Sequence, residues 1–245
     1  MSIELNLPKT KGLFITGTDT GVGKTLIAGV IARILTQQQK TVGVFKPVAS
    51  GCARTREGLV SEDTEFLAFC AESQFPLETI TPVTFETPAA PFVCEQKENR
   101  RIDFARIETA YKYIVENSDC VLVEGIGGVR VPITKDFDVI ELAKAFGLDV
   151  VVVARANLGT INHTLLTIEA LRAAGLSLAG VVLNGYDETK ADYAQMTNPA
   201  VIAEIGRVKI LSIAPYDQAA DVATGSLGDY LTEALSEFDW KSLIK

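Results

Sequence analysis

The stretch Gly17-Thr18-Asp19-Thr20-Gly21-Val22-Gly23-Lys24-Thr25 decides the fold class of this chain. It follows the apolar segment Leu13-Phe14-Ile15, and the apolar residues within 26–35 recur at helical spacing. The order is therefore strand, glycine-rich turn and helix, which is the context that a phosphate-binding loop requires. In such a loop the backbone N–H groups surround a polyphosphate, and the helix N-terminus adds its positive dipole end. The sequence therefore predicts that the chain binds a nucleoside triphosphate.

Two side chains at the end of this stretch have predicted roles. Lys24 is expected to reach the β- and γ-phosphates, and the hydroxyl of Thr25 is expected to ligate Mg²⁺. The stretch departs from the usual pattern G-x-x-x-x-G-K-[ST], because Thr18 stands at its first glycine and Gly17 comes one residue early. The alternative is a glycine-rich turn with a chance Gly-Lys-Thr, and the flanking strand and helix favour the phosphate loop over it.

The length and composition of the chain limit its class. With 245 residues, of which 47% are apolar, the chain is globular and can bury the core of a single α/β domain over residues 1–245. Its net charge of −8 argues against general nucleic-acid binding, which needs a basic surface. No apolar run reaches the length of a membrane span, and no signal peptide is in view. We therefore expect a cytoplasmic protein with neither nucleic acid nor a membrane as its partner.

The cysteines and the histidine exclude several kinds of catalytic site. Cys52, Cys70, Cys94 and Cys120 are widely spaced without a C-x-x-C pair, which favours free thiols over disulfides or zinc ligands. His163 is the only histidine, so no Ser/His/Asp or Cys/His set and no histidine metal cluster is evident. Catalysis is therefore expected to depend on phosphates, Mg²⁺, lysines and backbone donors.

Apolar runs alternate with helical patterns along the chain, and this alternation predicts the fold. The run Val150-Val151-Val152-Val153 is apolar at every position, as in the strands of a parallel sheet covered on both faces. We predict an α/β fold of the P-loop NTPase type, with one doubly wound, mainly parallel sheet and helices on both faces. Strands are expected at residues 13–16, 41–45, 120–123, 150–154, 180–183 and 209–213. Helices are expected at residues 24–38, 137–146 and 161–174, with loops and short helices at 51–99.

In such a sheet, ligands lie beyond the carboxyl ends of the strands, so the residues there are site candidates. Glu124 ends an apolar strand, where a carboxylate suits Mg²⁺; a salt-bridged or helix-capping glutamate is the alternative. Lys46 follows another strand and is expected in the same cleft as Lys24, where two ammonium groups would match a highly anionic reacting group. A solvated surface lysine is the alternative for Lys46. Asp63, taken alone, is only an acidic residue at the start of a helix.

Four motifs together resemble the dethiobiotin synthetase family, which closes a cyclic urea ring at the expense of ATP. The resemblance extends over nearly the full length of the chain, and the family's loop also has Thr at the usual first glycine. The motifs are Thr16-Gly17-Thr18-Asp19-Thr20-x-Val22-Gly23-Lys24-Thr25, Lys46-Pro47-Val48-Ala49-Ser50-Gly51, Glu124-Gly125-x-Gly127-Gly128 and Gly159-x-Ile161-Asn162-His163. The resemblance implies that the substrates are 7,8-diaminononanoate (7,8-diaminopelargonate), CO₂ and ATP. It implies a carbamate and a carbamic–phosphoric anhydride as intermediates, and dethiobiotin, ADP and phosphate as products, within biotin biosynthesis.

The resemblance also implies roles for individual residues. The implied Mg²⁺ ligands are Thr25, Asp63 and Glu124, and the implied catalytic residues are Lys24, Lys46 and Thr20. The implied nucleotide contacts are Gly21, Val22, Gly23, Lys24, Thr25, Asn184 and Pro215. The implied substrate contacts are Lys46, Ser50, Gly159, Thr160, Ile161 and Asn162. The last four open a helix whose N-terminal amides suit a substrate carboxylate, and in the family this helix comes from the neighbouring subunit, which implies a homodimer.

The chain departs from the family pattern at two places, and two other functions compete with the ligase. Gly21 stands where family members often carry Glu, and residues 88–91 match the family's proline-rich substrate loop only loosely. A partition or cell-division ATPase, which acts as a dimerisation switch, carries a second lysine early in the loop, where this chain has Asp19. The synthetase part of a corrin-ring amidotransferase normally comes with a glutaminase domain, for which 245 residues leave no room.

Overall fold

The computed structural model describes residues 3–56 and 58–244. The strands in these ranges are β1 (Gly12–Gly17), β2 (Val42–Phe45), β3 (Val48–Ala49), β4 (Ala53–Thr55), β5 (Gly58–Val60), β6 (Val83–Thr84), β7 (Cys120–Gly128), β8 (Pro132–Thr134), β9 (Phe137–Asp138), β10 (Asp149–Arg155), β11 (Leu178–Tyr186) and β12 (Ile210–Pro215). The helices are α1 (Lys24–Gln37), α2 (Glu62–Cys70), α3 (Leu77–Ile80), α4 (Pro91–Lys97), α5 (Phe104–Glu116), α6 (Val139–Phe146), α7 (Thr160–Ala173), α8 (Tyr193–Gly206) and α9 (Asp229–Ser236), and a 3₁₀ helix at Trp240–Leu243 follows them.

Six of these strands form one sheet in the order β12-β11-β10-β1-β7-β2, and every neighbouring pair is parallel. The strand that leads into the phosphate loop, β1, lies between β10 and β7, where Ile15 pairs with Val151 and Glu124. Because all the strands run in the same direction, their carboxyl ends meet at one edge of the sheet. Residues that are distant in the sequence are therefore brought together at that edge.

Apolar side chains alternate between the two faces of this sheet. In β1, Phe14 belongs to one buried cluster, while Leu13 and Ile15 belong to another. The first cluster includes side chains of α5, α6, α7 and α8, and the second includes side chains of α1, α2 and α9. Helices therefore cover both faces of the sheet, which confirms the predicted α/β fold with a doubly wound parallel sheet.

The predicted strands all exist, but several element bounds were wrong. β7 continues to Gly128 and β11 to Tyr186, so Glu124 and Asn184 lie within strands and not beyond them. The helix predicted at 137–146 begins only at Val139, because Phe137–Asp138 pairs with β8 and Asp138 accepts a hydrogen bond from the Glu141 amide at 3.1 Å. Helix α7 begins one residue earlier than predicted, and residues 51–99 hold loops and short helices as predicted.

No helix in the described ranges has the length and apolar character needed to cross a membrane. The four cysteines are free, as the sequence predicts, and all four are buried. Burial raises the pKa of the Cys52 and Cys120 thiols to about 11 and that of Cys70 to about 12. These thiols are therefore protonated at neutral pH and have little reactivity.

Candidate functional site

A cavity of about 600 Å³ opens at the carboxyl edge of the sheet, and we call it the central cavity. Its walls come from the phosphate loop, the end of β2, the start of α2 and β7. Most of the predicted site residues line it: Thr20, Gly21, Gly23, Lys24, Thr25, Lys46, Ser50, Asp63 and Glu124. The structure therefore assembles one polar site from four separate parts of the sequence.

Two glycines give the phosphate loop a conformation that other residues rarely adopt. Gly21 has a φ of +71° and Gly23 a φ of +91°. A Cβ atom on Gly23 would lie 2.1 Å from Nδ2 of Asn184. That nitrogen donates a hydrogen bond to the Val22 carbonyl at 3.0 Å. Asn184 therefore supports the loop from β11, and the absence of a side chain at Gly23 makes the contact possible.

Lys24 begins α1 and lies against the inner side of the loop. Its side chain is buried, and Nζ donates a hydrogen bond to the Asp19 carbonyl at 2.9 Å. Burial lowers the pKa of Lys24, and the attraction of Glu124 offsets this effect only in part. A phosphate group beside Lys24 would supply the negative charge that favours its protonated form, so the position suits a phosphate-binding lysine.

A buried ionic cluster forms the floor of the central cavity. Nζ of Lys46 lies 2.6 Å from Oδ2 of Asp63 and 2.8 Å from Oε1 of Glu124. The Thr25 hydroxyl donates a hydrogen bond to the same Glu124 oxygen at 2.9 Å. Only 4% of the Lys46 side chain and 1% of the Glu124 side chain are exposed, whereas Asp63 is 39% exposed. Lys46 is therefore not a solvated surface lysine. Glu124 lies within β7 and is salt-bridged to Lys46, as its alternative interpretation states, so its role as a Mg²⁺ ligand stays a prediction.

The charges in this cluster depend on one another. Burial opposes the charge on Lys46, but Glu124 and Asp63 outweigh it and raise the pKa of the ammonium above its usual range. Burial also opposes ionisation of Asp63, and Lys46 outweighs it, so the pKa of Asp63 is lowered. For Glu124 burial dominates and raises the pKa, although Lys46 acts against it. Lys46 is therefore held as a cation, and Asp63, the more exposed carboxylate, is the better anion.

The oxygen atoms around Lys46 fit a hard divalent cation. No group of three or more His, Cys, Asp and Glu side chains in the described ranges is arranged to hold a metal ion, so a metal would need the Thr25 hydroxyl and other oxygens. Oε2 of Glu124 is buried and has no hydrogen-bond partner within the described part of the chain. A buried carboxylate oxygen without a partner is costly, and a cation offsets that cost. The donor set of Thr25, Asp63 and Glu124 therefore fits Mg²⁺, which prefers hydroxyl, carboxylate, phosphate and water oxygens.

The remaining predicted residues lie outside the central cavity. Gly159, Thr160, Ile161 and Asn162 form the start of α7, and none of them lines the cavity of its own chain. Pro215 ends β12 and pairs with Tyr186 of β11, beside the strand that carries Asn184. Neither Pro215 nor Asn184 lines the cavity, and Val22 is also absent from its walls.

Sequence reasoning missed several residues that shape the site. Ile126, Val131 and Val222 add apolar surface to the cavity, and nothing in their local sequence distinguishes them from ordinary core residues. Arg155 is different, because it ends β10 and its guanidinium donates a hydrogen bond to the Thr20 carbonyl at 3.0 Å. Arg155 directly follows the predicted strand 150–154, just as Lys46 follows 41–45, so the same position in the sequence could have identified it.

Comparison with known proteins first defines the class. The family model described as "AAA domain" matches residues 11–224. The septum site-determining protein MinD of Pyrococcus horikoshii, solved with Mg-ADP, has a TM-score of 0.55 and 14% identity over 95% of this chain and 97% of its own. A chain of the MinC:MinD cell division protein complex of Aquifex aeolicus has a TM-score of 0.57 and 16% identity over 93% of each chain. At these identities the likeness concerns the fold alone, and together with the phosphate loop it defines a P-loop NTPase.

Closer relatives define the family. The ATP-dependent dethiobiotin synthetase of Thermodesulfovibrio yellowstonii is 38% identical over 240 residues, which are 95% of this chain and 98% of the relative. The enzyme of the same name from Bacillus subtilis strain 168 is 38% identical over 84% of this chain and 87% of its own. The enzyme of that name from Anaeromyxobacter sp. Fw109-5 is 42% identical over 83% of this chain and 90% of its own. The chain belongs to the dethiobiotin synthetase family, which confirms the resemblance found in its motifs.

Proposed function

We propose that this chain is an ATP- and Mg²⁺-dependent cyclo-ligase of biotin biosynthesis, which converts 7,8-diaminononanoate and CO₂ into dethiobiotin. The observation that carries the proposal is the presence of a second buried lysine, Lys46, in the same cavity as the phosphate loop. A nucleotide-dependent switch holds only a triphosphate, for which the phosphate loop and its lysine are enough. A reaction that joins a carbamate to a triphosphate needs additional positive charge, because two anions must meet.

The proposed reaction has three steps. One amine adds to CO₂ and releases a proton, which gives a carbamate. A carbamate oxygen attacks the γ-phosphorus, the bond to the ADP oxygen breaks, and a carbamic–phosphoric anhydride forms. The second amine then attacks the carbonyl carbon and loses a proton, and phosphate leaves with the electron pair of the broken C–O bond. This last step occurs within one bound molecule, so it depends on orientation more than on a strong base.

The residues of the central cavity divide this work. The phosphate loop and Lys24 hold the β- and γ-phosphates, and Lys46 and Ser50 hold the carbamate. Thr20 lines the central cavity, and on this proposal it contacts the substrate beside the phosphate loop. Thr25, Asp63 and Glu124 would hold Mg²⁺, which supplies charge neutralisation at the phosphates when it is bound.

Other residues bind the parts of the substrates that do not react. On this proposal Gly21, Val22 and Gly23 contact the phosphates, and Asn184 and Pro215 lie on the side of the adenine base. Asn184 already contacts the loop through Val22, which supports a place beside the nucleotide.

The proposal includes a homodimer. The start of α7, with Gly159, Thr160, Ile161 and Asn162, would bind the substrate carboxylate through backbone amides at the positive end of the helix. The Thr160 amide already donates a hydrogen bond to the Asn157 carbonyl at 3.2 Å. Since these residues do not line the cavity of their own chain, the proposal assigns them to the cavity of a second copy. Leu158, just before α7, is 80% exposed, and Leu166, in the second turn of α7, is 57% exposed, which supports a contact along this helix. We also propose one domain over residues 1–245 and a place in the cytoplasm, with neither nucleic acid nor a membrane as partner.

The test is identification of the product. The purified protein is incubated with Mg·ATP, bicarbonate and 7,8-diaminononanoate, and the mixture is analysed by mass spectrometry. The proposal predicts a product with the mass of the diamine plus CO₂ minus water, which disappears when bicarbonate is removed. An unchanged diamine, with ATP hydrolysis that rises on addition of DNA or lipid vesicles, would replace the ligase with a switch ATPase.

A further inference from the structure

The turn at Asp19 and Thr20 contains a carboxylate, that of Asp19, for which the proposed reaction gives no role. Oδ1 of Asp19 accepts a hydrogen bond from the Thr20 amide at 2.7 Å, and its carbonyl accepts one from Lys24 Nζ at 2.9 Å. The second carboxylate oxygen, Oδ2, lies 3.6 Å from the guanidinium of Arg155. A carboxylate at this place would repel a triphosphate held by the same loop.

Arg155 reaches the turn from a rigid part of the sheet. It is the last residue of β10 and pairs in register with Asn184 of β11. Two residues earlier in β10, the Val153 carbonyl accepts a hydrogen bond from the Thr18 amide at 3.0 Å. The guanidinium donates to the Thr20 carbonyl at 3.0 Å, so β10 holds the first half of the phosphate loop through backbone and side chain together.

We propose that Arg155 is a positioning residue for nucleotide binding, which fixes the Thr20 carbonyl and offsets the charge of Asp19 beside the triphosphate. The assignment rests on the proposed function only in taking the loop as the ATP site. With Thr20 held in this way, Asp19 continues to orient Lys24 through its carbonyl without presenting an uncompensated charge to the phosphates. The two contacts have separate consequences, because one is a hydrogen bond to the backbone and the other is an ion pair.

Four variants separate the hydrogen bond from the ion pair: Arg155→Ala, Arg155→Lys, Asp19→Asn and the double variant Asp19→Asn/Arg155→Ala. Binding of a non-hydrolysable ATP analogue with Mg²⁺ is measured by calorimetry, and kcat and the KM for ATP are measured with the diamine. Arg155→Ala is expected to weaken analogue binding and raise the KM about tenfold, since a half-exposed charged hydrogen bond lies at the lower end of its range. We expect kcat to change less than about twofold, because Arg155 does not touch the reacting atoms.

Two further results support the role if they occur. Arg155→Lys keeps the charge and one donor, so it is expected to recover most of the lost affinity. Asp19→Asn is expected to recover part of the affinity lost in Arg155→Ala, because the repelling charge is gone. Arg101→Ala is the matched control: its side chain is 92% exposed and lies 4.0 Å from Glu95, away from the loop.

Analogue binding by Arg155→Ala that equals wild-type binding would overturn the assignment. The assignment would also fail if Arg155→Ala lowered both kcat and the melting temperature and Arg155→Lys restored neither. That result would indicate a merely structural role. If the wild-type protein makes no diamine-dependent product while Arg155→Ala still loses analogue affinity, the ligase proposal fails and the role of Arg155 stands. If the wild-type protein forms the product and Arg155→Ala keeps its affinity for the analogue, the ligase proposal stands and the role of Arg155 fails.

Discussion

On the proposed function, Lys46 is the residue on which the chemistry of the central cavity depends most. It is 4% exposed and stands between Asp63 and Glu124, so its ammonium is both a structural counter-ion and the second positive charge available to an anionic substrate. Its removal leaves the Glu124 carboxylate, which is 1% exposed, without its ammonium partner. Its substitution therefore tests stability and chemistry together.

Lys46→Ala is expected to reduce diamine-dependent turnover by about 100-fold or more, as removal of a preorganised positive group at a reacting oxygen does. The free energy of unfolding should also fall by about 3 kcal/mol, because a buried carboxylate loses its partner. Steady-state kinetics and urea unfolding measure the two effects. Lys144→Ala, which removes a half-exposed lysine paired with Glu141, should leave both unchanged. Full turnover of Lys46→Ala would exclude its contact with the carbamate.

The lowered pKa of Asp63 gives the stability of the protein an acid-side pH dependence. The contribution of this carboxylate is complete above its unfolded-state value, near pH 4, and is lost as the pH falls through the lower folded value. The wild type should therefore exceed Asp63→Asn in unfolding free energy at pH 6, and the difference should shrink by pH 3. Urea unfolding of both proteins at the two pH values measures it. A constant difference would show that Asp63 does not act through its charge.

At the level of single residues, the sequence predicts part of the site from position alone. Lys46 and Glu124 were selected because each stands where a parallel strand nears its carboxyl end. Asp63 was not, since an acid in the first turn of a helix usually serves the helix dipole, and only the family resemblance indicated more. Its contact with Lys46 depends on how α2 folds back over the sheet, which local sequence does not encode.

The phosphate loop, as an element, depends on glycine more strongly at one position than at another. Gly21 and Gly23 both have positive φ, but only a Cβ on Gly23 would collide with a neighbour, Nδ2 of Asn184. No heavy atom within the described residues lies within 4 Å of a Cβ placed on Gly21. The open space at Gly21 is consistent with the larger Glu that family members often carry there.

Gly23→Ala is expected to weaken binding of an ATP analogue by at least about tenfold, from backbone strain and displacement of Asn184. Gly21→Ala introduces the strain without the collision, so its loss should be several times smaller. Calorimetric titration of both variants gives the comparison. Equal losses would mean that the contact between Asn184 and Val22 does not support the loop.

Elements with strong apolar patterns were predictable, and those defined by packing were not. The strands of the sheet were predicted from their apolar runs, and residues 121–123 and 150–153 are apolar on both faces. Helix α5 was not among the predicted helices, although its apolar face of Ile107, Ala110, Tyr111 and Ile114 has helical spacing. Helix α8 was less visible, because it contains Pro199 and buries few residues. The length of β7 beyond Glu124 reflects pairing with β1, since Gly128 pairs with Gly17.

For the whole molecule, the sequence predicts the sheet but not how the cavity closes. The alternation of strands and helices indicates the parallel sheet, and with it the edge at which a ligand binds. Residues 88–90 reach the cavity from the loop before α4, and Val222 reaches it from the segment before α9. Such long-range contacts follow from the packing of irregular segments, for which the sequence offers no period to read.

The proposed homodimer predicts that two inactive variants repair each other. Lys46→Ala disables the central cavity, and Asn162→Asp places a negative charge at the start of α7, where the substrate carboxylate would bind. If the helix serves the partner's cavity, each mixed dimer contains one intact site. Refolding the two variants together should then restore about a quarter of wild-type turnover, because half of the dimers are mixed and one of their two sites works. No gain on mixing would mean that α7 serves its own chain or no site.

The measurement that most directly tests the central claim is ADP formation with Mg·ATP and bicarbonate, in the presence and absence of 7,8-diaminononanoate. If the cavity uses its two lysines to join a carbamate to the triphosphate, ADP should form only with the diamine, and one ADP should appear for each diamine consumed. Steady ADP formation that is indifferent to the diamine would contradict the claim and would mean that this phosphate loop serves hydrolysis alone.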